Sequence, residues 1–92
     1  MAVAVLIEVE GLTAPQYDQI LKEVWPDGQM PQNSLFHLAG PAGSTWRVVD
    51  VWDSADSFNA FVNGSLGAAM QKAGVTVQPR IDFWPVHNFA KQ

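Results

Sequence analysis

Two segments of this chain predict strands that are apolar on both faces, and this constrains the fold more than any other feature. Residues 2–9 read AVAVLIEV, a short run rich in branched side chains that stops before Gly11. Thr45–Trp52 reads TWRVVDVW and is rich in strong strand formers. Because side chains alternate across a strand, each segment needs a cover on both sides of its sheet.

The first helix is predicted from a capping pattern followed by an apolar stripe. Thr13 has the chemistry of a helix cap, Gln16 stands three residues later, and Pro15 lies in the first turn, where its missing N–H costs nothing. Apolar side chains then recur at helical spacing. The stripe consists of Tyr17, Ile20, Leu21, Val24 and Trp25.

A second helix is predicted directly after the third strand. Asp53 or Ser54 provides its cap. Glycine inside a helix costs about 1 kcal/mol relative to alanine, so we expect a kink or break near Asn63-Gly64. Its apolar stripe consists of Phe58, Phe61, Val62, Leu66, Ala69 and Met70.

Two more strands complete the pattern. Residues 34–39 read SLFHLA and precede a glycine-rich turn at 40–44. The last strand is centred on residues 80–86. Pro79 and Pro85 cannot donate to a strand ladder, which predicts a strand at the edge of the sheet or one with a bulge.

The order β-α-β-β-α-β predicts an α+β fold of the ferredoxin-like type, spanning residues 1–92 as a single domain. Its four-stranded antiparallel sheet would carry both helices on one face. The other face would expose a contiguous apolar patch, which soluble monomers rarely tolerate. We therefore predict a homodimer through the sheet face.

Composition argues against several classes of partner. The net charge is −4, and the five basic residues are scattered, which disfavours nucleic acid and anionic membranes. Without cysteine there is no disulfide and no thiolate chemistry. The apolar start is too short to span a bilayer and lacks the features of a signal peptide. We expect a cytoplasmic protein.

A resemblance to a known family is carried by residues 46–54, WRVVDVWDS, and residues 58–61, FNAF. This segment resembles the strand ending in acid-x-Trp, followed by a helix with an F-x-x-[HF] turn, of the dimeric α/β-barrel superfamily. The likeness is to its antibiotic-biosynthesis-monooxygenase-like group. It implies the same fold, which hosts cofactor-free oxygenases, polyketide cyclases, haem-degrading enzymes, isomerases and domains without known activity.

The resemblance also bears on cofactors. Many relatives have histidine where this chain has Phe61, and the haem-degrading members use a helix histidine as the iron ligand. The predicted second helix here contains no histidine. Haem binding is therefore only a minor alternative, and we expect no cofactor and no metal site.

The two histidines, His37 and His87, are the predicted catalytic residues, because imidazole is the natural general base near neutral pH. The alternative is that each is packed and hydrogen-bonded, or solvated at a strand end. In this superfamily the pocket usually lies between the sheet and the helices. The sequence leaves open whether either histidine faces that pocket or the dimer interface.

Other side chains are predicted to bind substrate. Asp50 could orient a histidine, or pair with Arg47 or Arg80. Tyr17 could donate a hydrogen bond to a ligand oxygen, or lie in the core with its hydroxyl in solvent. Asn88 could polarise a carbonyl or act as a cap. Aromatic walls for a flat ligand, or simple packing, would come from Phe36, Trp46, Phe61 and Trp84.

Two functions of different classes follow. The first is a small cofactor-independent enzyme that acts on an aromatic or polyketide-like carbonyl compound by histidine acid–base chemistry, in the manner of a monooxygenase or a cyclase. The second is a non-catalytic dimeric domain that binds a small apolar ligand, or a purely structural dimer.

Overall fold

A computed structural model describes residues 1–92 as a four-stranded antiparallel sheet with its helices on one face. The strand order is β2-β3-β1-β4, so β2 and β4 form the two edges. The predicted βαββαβ order and the edge position of the last strand are both confirmed. The elements are β1 (Val3–Glu10), α1 (Ala14–Val24), β2 (Ser34–Ala42), β3 (Thr45–Trp52), α2 (Ala55–Phe61), a π-helical turn (Val62–Leu66), α3 (Gly67–Lys72) and β4 (Arg80–Pro85).

The sheet face beneath the helices follows from the alternation of β1. Val5 is fully buried on this face and lies opposite Asp50 of β3, which in turn lies opposite His37 of β2. Residues directly opposite one another share a face, so His37 and Asp50 both point toward the helices. The buried apolar cluster comprises Val3, Val5, Ile7, Val9, Trp46, Val48, Trp52 and Phe58.

Strand β2 differs from its prediction in two ways. It continues to Ala42, so the turn shortens to Gly43 and Ser44. Gly43 has a φ of +64°, which a two-residue hairpin turn requires at its first central position. Near the start of β2, Ser34 lies opposite Trp52 while Phe36 lies opposite Val51, so the strand contains a bulge.

Helix α1 begins at the predicted capping box. The Gln16 amide donates to Thr13 Oγ1 at 3.3 Å, and the Thr13 amide donates to Gln16 Oε1 at 3.1 Å. These bonds satisfy backbone donors that the first turn leaves free. The cap fixes the start of the helix and therefore the position of Tyr17, one turn further on.

The second helical region is interrupted near Asn63-Gly64, as its glycines led us to predict. Ser54 caps α2, and the regular helix stops at Phe61. In the turn Val62–Leu66, Gly64 has non-helical angles (φ −107°, ψ −106°), and α3 begins only afterwards. The break at Asn63-Gly64 is confirmed.

The outer sheet face, which carries no helix, exposes large apolar side chains. Leu38 and Trp84 are each about half exposed there. Leu38 is paired with Val49, and Trp84 with Ala4, so the patch crosses the sheet. Separately, none of the helices has the length and apolar character needed to cross a membrane.

We expect Thr13→Ala to destabilise the protein by about 1 kcal/mol, because it removes the side-chain half of the capping box. Urea unfolding followed by circular dichroism measures this. Thr76→Ala is the matched control, since Thr76 is exposed and its hydroxyl forms no hydrogen bond in the structure. Equal free energies of unfolding for the two variants would show that the cap does not stabilise α1.

Candidate active site

Three side chains form a continuous line of hydrogen bonds between the sheet and α1. Asp50 Oδ1 lies 2.6 Å from His37 Nδ1, and His37 Nε2 lies 2.6 Å from the Tyr17 hydroxyl. Both distances are slightly shorter than the usual range of about 2.7–3.2 Å for hydrogen bonds that involve nitrogen. Two strands and a helix thus converge on one histidine, and we call these three residues the relay.

The second oxygen of Asp50 is also held. The indole Nε1 of Trp52 donates to Asp50 Oδ2 at 3.1 Å, and Trp52 is buried against Phe58 and Phe61. Residues two apart in a strand lie on the same face. The acid-x-Trp spacing therefore places the indole donor next to the carboxylate. The acid-x-Trp spacing of Asp50 and Trp52 is the sequence signal from which this contact could be predicted.

The chemistry of Asp50 fixes the tautomer of His37. An ionised carboxylate can only accept hydrogen bonds, so the proton of the neutral imidazole is assigned to Nδ1. Nε2 then carries a lone pair and accepts from the Tyr17 hydroxyl. The histidine is oriented and tautomerically fixed, which a general base requires.

The surroundings of Tyr17 keep its hydroxyl protonated. Burial is the main factor that raises the pKa of Tyr17, and the negative charges of Asp50 and Asp18 add to it. Each of these factors disfavours a phenolate. At neutral pH the tyrosine is therefore a neutral hydroxyl that donates to His37.

The relay borders a cavity between the sheet and the helices. The cavity encloses about 70 Å³, and thirteen of its seventeen lining side chains are apolar. The relay residues and Ser34 are the four remaining, polar ones, and the predicted aromatic Phe61 is also part of the wall. A space of this size holds a few water molecules, so a larger ligand must extend beyond it or displace side chains.

Two tryptophans contact the relay by ring packing and form no hydrogen bond with it. The Trp25 ring packs edge-on against His37 with centroids 5.0 Å apart. Trp46, predicted to bind substrate, packs against Tyr17 with ring centroids 5.0 Å apart and is not part of the cavity wall. Its Nε1 is buried without a hydrogen-bond partner. Trp46 thus contacts the site through the tyrosine.

The remaining predicted site residues lie away from the relay. Trp84, His87 and Asn88 line a separate hollow on the outer face of the sheet, and Phe36 packs there against Phe89. The alternation of the strands sends Phe36 and Trp84 to this face. His87 and Asn88 follow the end of β4. The structure therefore brings together Tyr17, His37, Asp50 and Phe61, but not His87.

The alternative pairing of Asp50 with an arginine is wrong. Arg47 Nε lies 2.9 Å from a Glu8 carboxylate oxygen, and Arg80 Nη1 lies 3.9 Å from the other. Both arginines lie directly opposite Glu8 in the sheet, and all three side chains point to the outer face. The Tyr17 hydroxyl bonds to His37, and the tyrosine is partly buried.

The structure contains no group of three or more His, Cys, Asp or Glu side chains that could hold a metal ion. The relay supplies one imidazole and one carboxylate, which already bond to each other. The chemistry that the relay itself offers is proton transfer.

Comparisons with known proteins identify the fold. No protein-family model matches the chain, and neither does any curated protein sequence. Among solved structures, a protein of unknown function from Nitrosomonas europaea, NE2512, is similar with a TM-score of 0.74 at 18% identity, over 99% of this chain and 94% of that one. Rv0793 from Mycobacterium tuberculosis is similar with a TM-score of 0.72 at 9% identity, over 99% and 100%.

A third similar structure has an assigned activity. SnoaB, a cofactor-independent oxygenase from Streptomyces nogalater, has a TM-score of 0.68 at 8% identity, over 99% of this chain and 98% of that one. At these identities the likeness concerns the fold. The chain has the ferredoxin-like fold of antibiotic-biosynthesis-monooxygenase-like proteins.

Tyr17 is the only tyrosine in the chain, so its ionisation can be followed directly by phenolate absorbance. We expect the midpoint in the folded protein to lie above the ordinary value of 10.0, and to fall toward it in urea. Asp50→Asn removes one of the negative charges and lowers the folded midpoint.

The same shift affects stability at alkaline pH. Because folding raises the pKa of Tyr17, the unfolded chain loses the phenolic proton first, and the stabilisation present below pH 10.0 is lost as pH rises through the folded pKa. Tyr17→Phe should therefore unfold with a shallower alkaline decline than the parent protein. A folded midpoint at or below 10.0 would contradict the expected rise in the pKa of Tyr17 caused by its partial burial.

Proposed function

We propose that the protein is a small acid–base enzyme that acts on an enolisable aromatic or polyketide-like carbonyl compound. The observation that carries this proposal is the relay Tyr17–His37–Asp50 at the wall of an apolar cavity. An oriented imidazole beside apolar walls combines a base with a place for a flat ligand.

The proposed step couples two proton transfers, and its net result is the removal of one proton from the substrate. A proton leaves an acidic O–H, or a C–H acidified by a conjugated carbonyl, for the Tyr17 oxygen, while the tyrosine's own proton passes to His37 Nε2. The electron pair of the broken bond stays on the substrate as an enolate. The imidazolium that forms is stabilised by Asp50, in the manner of an acid–base histidine held by a carboxylate.

The enolate can then react in one of two ways. In a monooxygenase-like reaction, dioxygen is the co-substrate. One of its atoms forms a new C–O bond at the deprotonated carbon, and the other leaves as water with the two hydrogens that this carbon loses. In a cyclase-like reaction, a second carbonyl of the same molecule accepts the carbon nucleophile, and no oxidant is consumed. The name of SnoaB as a cofactor-independent oxygenase favours the first route by analogy of fold.

Anthrone, an enolisable aromatic ketone, is a suitable probe substrate. We expect His37→Gln to lower its turnover by about 10²–10⁴-fold, and Asp50→Asn to lower it comparably because an amide no longer selects the required tautomer. With anthrone, oxygen uptake and product absorbance measure the oxygenase route. A polyketide analogue tests the cyclase route. Under nitrogen the oxygenase reaction stops, whereas cyclisation continues.

His87→Gln provides the matched control, since His87 lies on the other face of the sheet. We expect turnover to be retained in this variant. Unchanged turnover in His37→Gln would reject the relay mechanism. Saturable binding without turnover by the parent protein would favour the second function, a non-catalytic domain that holds a small apolar ligand.

We also propose that the outer face mediates a homodimer. Leu38 and Trp84 remain about half exposed in the single chain, and an apolar patch that crosses a sheet is usually covered. A two-fold partner covers it with an identical face, while the Glu8 pairs with Arg47 and Arg80 lie on the same surface.

Sedimentation velocity tests the dimer. We expect the parent protein to sediment as a dimer and Leu38→Asp to shift it toward monomer, since the new carboxylate would be buried without a partner. Val77→Asp is the control, because Val77 is similarly exposed but lies outside the sheet. A monomeric parent protein at micromolar concentration would contradict this proposal.

A further inference from the structure

A second cavity lies directly beside the first. It encloses about 270 Å³ between the π-helical turn, α3, the segment 75–79 and the β4 residue Ile81. Three side chains line both cavities: Ile7, Leu66 and Met70. These residues are therefore the partition between the two spaces.

The partition has one fixed part and two adaptable parts. Ile7 belongs to the central strand β1 and is buried in the sheet. Leu66 and Met70 come from the helical side and are only partly buried. Methionine has three rotatable bonds and fills irregular gaps, so Met70 can change rotamer without disturbing the sheet.

The backbone beneath Leu66 is also interrupted. The Gly67 amide bonds to Val62 O, a π-type bond, as well as to Gly64 O. A Cβ at position 67 would lie 3.1 Å from Val62 O, so glycine allows this turn to form. Such π-helical turns are frequent at functional sites. Because the helix is already interrupted at Gly64, we expect a shift of Leu66 to leave α2 and α3 intact.

The sizes of the cavities indicate what the partition controls. Pockets for drug-sized ligands measure about 300–1,000 Å³, and neither space reaches that range alone. We infer that Leu66 and Met70 set the size of the ligand, and that displacing them joins the cavities around a fused aromatic system of two or three rings. Its hydroxyl meets Tyr17, and its distal ring enters the second cavity.

This inference rests on the proposed function and names its substrate class by ring size. The second cavity suits the distal ring of an oxygenated polycycle, because its wall combines apolar side chains with Thr76, Gln71 and Gln78. These polar groups can bond to oxygens on that ring.

Phenol, 2-naphthol and 2-anthrol carry the same hydroxyl on one, two and three rings, and are the probes for the test. In ¹H–¹⁵N NMR titrations we expect phenol to perturb amides around the first cavity only. We expect 2-anthrol to perturb in addition the amides of Thr76 and Val77, which line the second cavity.

Variants of Met70 test the partition directly. We expect Met70→Ala to tighten 2-anthrol binding about tenfold relative to phenol, as expected when space for part of a ligand is gained in an apolar pocket. Met70→Phe should weaken the binding of 2-anthrol and leave the affinity for phenol nearly unchanged. Met30→Ala is the matched control, because Met30 is also partly buried but lines neither cavity.

The outcomes separate this inference from the proposed chemistry. If 2-anthrol perturbs only the first cavity, if folded Met70 variants keep the parent ratio of affinities, or if none of the three phenols binds, the partition does not set ligand size. In His37→Gln we expect the dependence on ring size to persist while anthrone turnover is lost. Retained turnover in that variant would reject the relay without affecting the partition.

Discussion

The buried carboxylate of Asp50 is the constraint on which the site depends. Asp50 is only 4% exposed and stands between Val49 and Val51 of β3, and a buried charge is very costly unless it is paired and hydrogen-bonded. Both oxygens have partners, His37 on one side and Trp52 on the other. The bonds that stabilise the sheet around Asp50 are therefore the same bonds that orient the histidine.

The register of the sheet determines which residues can take part. Residues 34–39 are apolar at both parities, so their sequence does not indicate which face His37 occupies. The pairing with Asp50 decides it. The bulge between Ser34 and Phe36 shifts the alternation, and for this reason Ser34 and His37 line the same cavity although they stand three residues apart.

Features that depend on residues close together in the sequence could be predicted from the sequence. The capping box at Thr13, the break at Gly64 and the edge position of β4 depend on neighbouring residues, and all three were predictable. The approach of Tyr17 to His37 depends on how α1 lies across the sheet, which no spacing encodes. The separation of His87 from His37 depends on where β4 ends and the chain leaves the sheet, so two equivalent candidates in the sequence become unequal in the structure.

The relay also limits what a ligand can offer. Both nitrogens of His37 are already bonded, one to Asp50 and one to Tyr17. A hydroxyl donates one bond and has two acceptor lone pairs, and the Tyr17 proton is committed to His37. The free hydrogen-bonding capacity that the relay presents through the tyrosine is thus an acceptor. A ligand that donates, such as an enol or a phenol, fits it without breaking a bond, whereas a carbonyl oxygen would have to compete with His37 for the tyrosine proton.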